Sequence, residues 1–283
     1  MPETCLLCGR VPSRERTCKH GIQVLDCSSC GIAFQKKISH RSIERYRGSG
    51  YFYSYRKDPS EEAGVRRVKR ASAEWVLRRM KPLLPAGSRL LEVGSAFGYF
   101  LEAARDQGYR ARGVEVSDAA LEAQRRGLDI LRVPFEELEE GAASYDAVVM
   151  LDVLEHFSDP SAAVAKAARF LSPGGLLAVI TPDLGGLGHR VFGANWWSFH
   201  PEHLYYFSKK GLRGLLNKHG FTVVDARASW KGASFRYMAN CGEHHKNAPR
   251  LVNRLLRALP FSRRPFLVPL DQFCLARRQG ETA

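Results

Sequence analysis

Long apolar runs are missing from this chain of 283 residues. No window offers the ~18 uninterrupted apolar residues of a membrane-spanning helix. The N-terminus, MPETCLLCGR, also lacks the basic-then-apolar layout of a secretory signal. These two absences make a soluble protein of the cytoplasm the expectation. Internal repeats and low-complexity tracts are lacking as well, which excludes stacked-repeat architectures. Cysteine is sparse: of seven, four form two CxxC pairs near the N-terminus. In a reducing compartment, thiols at that spacing point to metal rather than disulfides. Acidic residues are too few to balance the basic ones, 29 against 43, which leaves a net charge of +14. The excess is uneven: +8 over residues 1–70, −4 over 71–180 and +10 over 181–283. An acidic middle suits a cationic ligand and basic ends suit an anionic partner, although arginine-rich surface also serves solubility alone.

What is present suffices for a core. The chain is 45% apolar and longer than the usual single domain, so one large domain with an appendage, or two modest domains, is expected. Cys5-Leu-Leu-Cys8-Gly9 and Cys27-Ser-Ser-Cys30-Gly31 are two knuckles flanking a strand at Ile22–Asp26. Two thiolates three residues apart can grip one zinc from a tight turn, and the glycine lets the backbone swing its amides toward the sulfurs. Cys5, Cys8, Cys27 and Cys30 are therefore the expected zinc ligands, with Cys18 and His20 as substitutes. A closed four-sulfur site leaves no open position, so the metal folds the segment rather than catalysing. Next comes a glycine-hinged aromatic cluster containing Tyr46, Tyr51 and Tyr53, which suits either packing or a lid, and then a basic helical run to Met80.

From Ser88 the rhythm is strand and helix in alternation, which implies a mostly parallel sheet covered on both faces. Strands are expected at 89–93, 110–115, 129–132, 145–151, 176–181, 221–228 and 272–276, with a turn at Ser172-Pro-Gly-Gly175. After the first strand stands Glu92-Val-Gly94-Ser95-Ala96-Phe97-Gly98. A dinucleotide turn, G-x-G-x-x-G, fails here at Ala96 and Tyr99. A carboxylate beside the turn would repel a pyrophosphate and tolerate a cation. Glu115, at the end of the second strand, is placed to accept hydrogen bonds from both hydroxyls of a ribose. A ribose with a cationic neighbour and no phosphate describes S-adenosylmethionine.

Residues about 71–228 resemble the class I S-adenosylmethionine-dependent methyltransferases, an α/β fold with a doubly wound sheet of seven strands. Glu92–Gly98 looks like their first motif, Glu115 like their ribose acid and Leu171–Gly175 like their later turn. The CxxC…CxxC opening and a closing HPEHLYYF segment resemble a bacterial group tied to glycan and secondary-metabolite pathways. The resemblance implies a zinc-ribbon module at 1–45, a bridge and lid helix at 46–80, and a methyltransferase domain at 81–283 with substrate-side insertions at 182–207 and 229–270. It implies cofactor contacts from Glu92, Gly94, Ser95, Ala96, Phe97, Gly98, Glu115 and Val116. Val133, Pro134, Phe135 and Glu136 would meet the adenine, and Met150, Leu151 and Asp152 the methionine part.

Methyl transfer from a sulfonium needs alignment and exclusion of water, and a hydroxyl acceptor also needs a base. Asn195-Trp-Trp-Ser-Phe-His-Pro-Glu-His-Leu-Tyr-Tyr-Phe-Ser208 follows the fifth strand, where ligands gather in such sheets. His203 is the expected base, supported by His200 and Glu202, with Trp196, Trp197 and Tyr205 as an apolar wall. The same rings equally suit a staple onto the following helix. Asp152-Val-Leu-Glu155-His156 is similar to a Glu-x-x-Glu-His segment that holds a divalent cation in some quinone O-methyltransferases, while His156 alone suits substrate-side hydrogen bonding. The expected acceptor is an anionic small molecule, a sugar, nucleotide-linked sugar or natural-product hydroxyl. Oxygen is favoured over carbon, because the C-terminal domain of the longer deoxysugar C-methyltransferases does not follow the last strand. The rival is an RNA methyltransferase whose zinc module and basic flanks bind RNA.

Overall fold

A computed structural model describes residues 4–5, 7–37, 62–244 and 250–280. Tyr46, Tyr51 and Tyr53, with residues 46–61 of the expected bridge and lid segment, lie outside the described residues. Two sheets organise the described chain. The small one contains β1 (Arg14–Thr17), β2 (Gln23–Cys27) and β3 (Ile32–Gln35), all antiparallel. Its fourth strand, β9 (Tyr205–Phe207), comes from far along the sequence and pairs Phe34 with Tyr205 and Ile32 with Phe207.

The large sheet has the order β10-β11-β8-β7-β4-β5-β6. β4 (Arg89–Val93), β5 (Arg110–Val114), β6 (Ile130–Leu131), β7 (Tyr145–Leu151) and β8 (Leu171–Thr181) are parallel. β11 (Phe266–Arg278) runs antiparallel between β8 and β10 (Phe221–Ala233). Both last strands extend beyond the expected ones because they pair with each other past the sheet's edge. Ser172–Gly175, expected as a turn, is looped out within β8: Tyr145 pairs with Leu171, and Ala147 already pairs with Leu176.

Period-two alternation sends alternate side chains of each strand to opposite faces. Val148 and Met150 of β7 join one core cluster, which α4 (Pro160–Phe170) and, past the short α5 (Leu187–Phe192), α6 (Lys209–Lys218) cover. Ala147 and Val149 join the other, under α1 (Glu62–Met80), α2 (Tyr99–Asp106) and α3 (Ala119–Arg125). α1 thus differs from the lid expected of it: Trp75, Val76, Leu77 and Met80 are core residues, and Arg66 ties it to buried Glu102 of α2 at 2.9 Å. The chain runs from β4 outward through β5 and β6, then returns to β7 on the other side. That reversal leaves a crevice beyond the carboxyl ends of β4 and β7.

Candidate active site

At the end of β4 the chain passes through Gly94 and Ala96, with φ of 72° and 44°, and enters α2 through Gly98 at 73°. The N–H groups of Gly94 and Ser95 both donate to the Val114 carbonyl, at 2.9 and 3.1 Å. Gly113 permits this approach, since a Cβ there would stand 2.6 Å from Ser95 Oγ. Glu115 clamps the turn: one carboxylate oxygen accepts from Ala96 N–H and the other from Ser117 N–H, both at 2.8 Å. Each oxygen keeps a second lone pair for a hydroxyl. Glu92 lies buried, with no hydrogen-bond partner for Oε2 among the described residues. Burial and the charge of Glu115 push its carboxyl well above the usual carboxylate range. This corrects the electrostatics expected of the turn: Glu92 is held toward its neutral form and supplies an unmet polar group.

A cleft opens here, beyond the carboxyl ends of β4 and β5. Val93, Gly94, Glu115 and Val116 line it from β4 and β5, Val133, Pro134, Phe135 and Glu136 from the segment after β6, and Val153, His156, Phe157, Glu202 and Leu204 from two later segments. Ser95, Ala96 and Phe97 shape the turn from behind: Phe97 packs with Val65, Tyr99 and Ala119. Three other residues expected at the cofactor do not reach this cleft. Met150 is a core residue, Leu151 packs against the opposite cluster, and Asp152, at φ 57°, turns its carboxylate to Lys231 Nζ at 2.6 Å. Lys231 also bonds Asp271, and the two carboxylates, Asp152 ahead of Asp271, draw the ammonium pKa upward against desolvation.

Beyond the cleft lies a polar network. His156 Nδ1–H donates to the Glu202 carbonyl at 2.7 Å, and His200 Nδ1 bonds the Glu202 carboxylate at 3.0 Å. His203, the expected base, sits one layer behind. It is buried, its Nδ1–H donates to the Ser198 carbonyl at 2.9 Å, and its ring lies 3.7 Å from that of His200. Burial and the neighbouring His200 push His203 well below the usual histidine range and His156 down to about 4. Both are neutral imidazoles near pH 7, so His203 is a weak base out of contact with the cleft. Glu155 is fully buried, with one oxygen accepting from Thr181 Oγ1 at 2.9 Å and the other, 3.9 Å from His203 Nε2, without a hydrogen bond among the described residues. Its donor atoms, with those of His156 and His203, lie within 4.8 Å of one another. In the expected cation segment, therefore, His203 stands beside Glu155 and His156, and Asp152 does not.

The four knuckle cysteines also converge within 4.8 Å. Cys5 and Cys30 sulfurs are 3.4 Å apart, as are those of Cys8 and Cys27. That is too far for a ~2.05 Å disulfide and near the ~3.8 Å edge of a tetrahedron with ~2.3 Å zinc–sulfur bonds. Amides of Leu7 and Cys8 bond the Cys5 sulfur, and that of Ile32 the Cys30 sulfur. The donor set fits zinc; Cys18 lies in another cluster, with Val24 and Trp196.

A family model described as "Methyltransferase domain" matches residues 65–226, more than half of the chain. The chain belongs to this family. Its large sheet is that of the class I S-adenosylmethionine-dependent methyltransferase domain. The ubiquinone biosynthesis O-methyltransferase of Caulobacter sp. strain K31 is 35% identical over 103 residues, covering 34% of this chain and 41% of that protein. Its counterpart in Alkalilimnicola ehrlichii is 37% identical over 97 residues, 31% and 39% respectively. The chain thus spans about two fifths of the curated relatives it matches. Among solved structures, the 1,6-didemethyltoxoflavin-N1-methyltransferase of Burkholderia thailandensis, with bound S-adenosylhomocysteine, shares the fold at a TM-score of 0.55 and 17% identity, over 95% of this chain and all of that one. The [4+2]-cyclase SpnF does so at 0.51 and 21%, over 74% and 81%. One fold thus hosts different chemistries, and the acceptor must be argued from the site.

The aromatic segment fits neither expected role as a whole: most of its rings pack on the small sheet rather than walling the cleft or stapling onto the following helix. Trp196, Phe199 and Tyr206 are fully buried and pack with Val24 and Ala33 of the small sheet. Trp197 packs edge-on against that cluster, and Tyr205 donates to the Ser158 carbonyl at 3.2 Å. The expected wall of Trp196, Trp197 and Tyr205 is therefore a staple to the small sheet, while Glu202 and Leu204 face the cleft. Gln35 escaped the sequence reading. Its side-chain amide donates to the carbonyls of His203 at 2.8 Å, Pro201 at 3.1 Å and His200 at 3.3 Å. Lys231 and Asp271 escaped it too; their only signal is that each is a charge inside a long apolar-edged strand.

Proposed function

We propose that this methyltransferase transfers a methyl group to a hydroxyl of a small molecule, an aromatic hydroxyl ahead of a sugar, with the Glu202–His200 pair accepting the proton. The observation that carries this reading is the placement of Glu202 on the cleft wall with its carboxylate bonded to His200 at 3.0 Å. A carboxylate coupled to an imidazole is a base of moderate strength, matched to a phenolic hydroxyl (pKa ≈ 10) better than to an alkyl one. S-adenosylmethionine, when bound in the cleft, supplies the methyl group. Glu115 offers lone pairs to the ribose, and Val133, Pro134 and Phe135 offer apolar surface to the adenine. Neutral His156, anchored on the Glu202 carbonyl, orients the acceptor hydroxyl without adding a positive charge beside a sulfonium. Phe157 and Leu204 help exclude water. The name of the relatives, O-methyltransferase, supports an oxygen acceptor; a glycan acceptor draws no support from them. The four cysteines hold a structural zinc, and the protein works in the cytoplasm, where their thiols stay reduced.

The reading is tested by methyl transfer from labelled S-adenosylmethionine to a panel of catechol-type hydroxyls and nucleotide sugars, with metal content measured on the same sample. Product on an aromatic oxygen and one zinc per chain are expected. Methylation of nucleotide sugars or RNA alone would overturn the acceptor assignment.

A further inference from the structure

Between β10 and β11 the chain carries α7 (Phe235–His244) and α8 (Arg250–Ala258). α8 is inside out. Leu251, Leu255 and Leu259 recur at every fourth position, the spacing that ordinarily marks the face turned to a core. Here Leu251 is 66% exposed and Leu255 60%, and Phe261, in the turn beyond, is 58% exposed. The residue that α8 buries is Asn253, 1% exposed, and neither polar atom of its amide has a hydrogen-bond partner among the described residues. Burying an unpartnered amide while leaving leucines in water is unfavourable on both faces, so the outward stripe implies something that covers it. The chemistry around it is one-signed. Residues 250–270 contain five arginines and no carboxylate. Arg250, Arg254, Arg263 and Arg264 are exposed, and Arg264 lies over the Phe261 ring at 4.8 Å.

We propose that α8 and the turn after it dock on an anionic phospholipid surface, with the leucines and Phe261 entering the boundary between headgroups and acyl chains and the arginines at the level of the phosphates. A helix with an apolar face and an arginine-rich margin lies in the plane of such an interface, and each basic residue near an anionic surface adds attraction. A second copy of this chain fits less well: an isologous contact would set arginines against arginines with no carboxylate between them. RNA would satisfy the arginines and leave the leucines without a partner, since sequence-tolerant nucleic-acid binding relies on aromatic stacking. Surface docking is independent of the acceptor assigned above. It brings the enzyme to a bilayer whether or not the hydroxyl it methylates is lipid-linked.

The test is flotation of the full-length protein with phosphatidylcholine vesicles made with and without phosphatidylglycerol. Binding to the anionic vesicles, absence from the neutral ones and weakening by salt are expected. The triple substitution Leu251→Ser, Leu255→Ser, Leu259→Ser should lower partitioning by about tenfold or more. These side chains already face water, so S-adenosylhomocysteine binding and the melting temperature should be unchanged. Three outcomes would each overturn the proposal: a wild-type protein that stays unbound on anionic vesicles, a triple variant that floats as well as wild type, or a self-association in sedimentation that the triple variant abolishes.

Discussion

The two halves of the cleft are assembled in opposite ways. The cofactor half comes from one continuous stretch, residues 92–136, folded as successive strands and turns and clamped by the single carboxylate of Glu115. The acceptor half gathers His156, Glu202, His200 and His203 from two loops, and behind them Lys231 and Asp271 from the last strands and Gln35 from the small N-terminal sheet. A half built locally tolerates change elsewhere. A half built from distant pieces fails when any one of its supports is removed. Substitutions in the second half should therefore lower turnover while leaving cofactor affinity intact. Glu202 and Gln35 variants can break that division, while Lys231 and His156 variants measure how firmly its supports are held.

The largest effect is expected at Lys231. It is one of the partly buried charges of the structure, set between Asp152 and buried Asp271. Lys231→Met leaves two neighbouring carboxylates without their cation, which should cost about 3 kcal/mol of stability in denaturant unfolding. A loss below about 1 kcal/mol would mean that solvent already screens the triad.

Next is the acid sensitivity of the histidine layer. His156 titrates at about 4 in the folded protein and near its ordinary 6.5 when unfolded. The unfolded chain therefore takes up a proton first, so stability rises with pH between about 4 and 6.5 and is lost as pH falls through that window, by about 3 kcal/mol. Glu92 and Glu155, whose carboxyls are held high, act in the opposite direction. Subtracting the curve of His156→Gln from that of wild type isolates the histidine. Parallel curves would show that His156 is not desolvated.

Glu202→Gln comes third. It removes the carboxylate that His200 bonds, and turnover should fall about a hundredfold with unchanged S-adenosylhomocysteine affinity by calorimetry. Near-normal turnover would remove the pair from the mechanism. An equal loss of cofactor affinity would instead show that the two halves are one unit.

The same contrast decides what can be read before the structure. The glycine turn, Glu115 and the knuckles are legible because each needs fixed residue types at fixed local spacing: positive φ at Gly94 and Gly98, and sulfurs within reach at Cys5, Cys8, Cys27 and Cys30. The parallel sheet is legible from its alternation. By contrast, β9 carries the same apolar pattern whether its rings wall a cleft or join another sheet, and its pairing with β3 spans a separation of more than 170 residues. His203 and His200 cannot be told apart by sequence, since burial alone places one behind the other. Lys231 reads as an ordinary surface lysine until Asp152 and Asp271 meet it.

The finest test of the division falls on Gln35. β3 begins directly after the Cys30 knuckle, and Gly31 fixes that knuckle to the start of α6: Ser208 N–H donates to the Gly31 carbonyl at 3.0 Å, and a Cβ on Gly31 would stand 2.4 Å from Ser208 Oγ. At the other end of β3, Gln35 holds the carbonyls of His200, Pro201 and His203 through one amide, and its own N–H donates to Leu204 at 2.9 Å. The N-terminal module thus acts as a splint for the His200–Glu202 turn, a role that requires no contact with substrate. Gln35→Leu keeps the volume and the backbone bond but removes the fork. The turn should then lose its register, lowering kcat by about tenfold with little change in cofactor affinity. Gln35→Asn, whose shorter amide cannot span the same carbonyls, should give little recovery, whereas Gln35→Glu should behave like leucine or worse because it points an acceptor at three acceptors. If all three variants turn over like wild type, β9 pairing alone positions the loop and the splint is the strand, not the side chain.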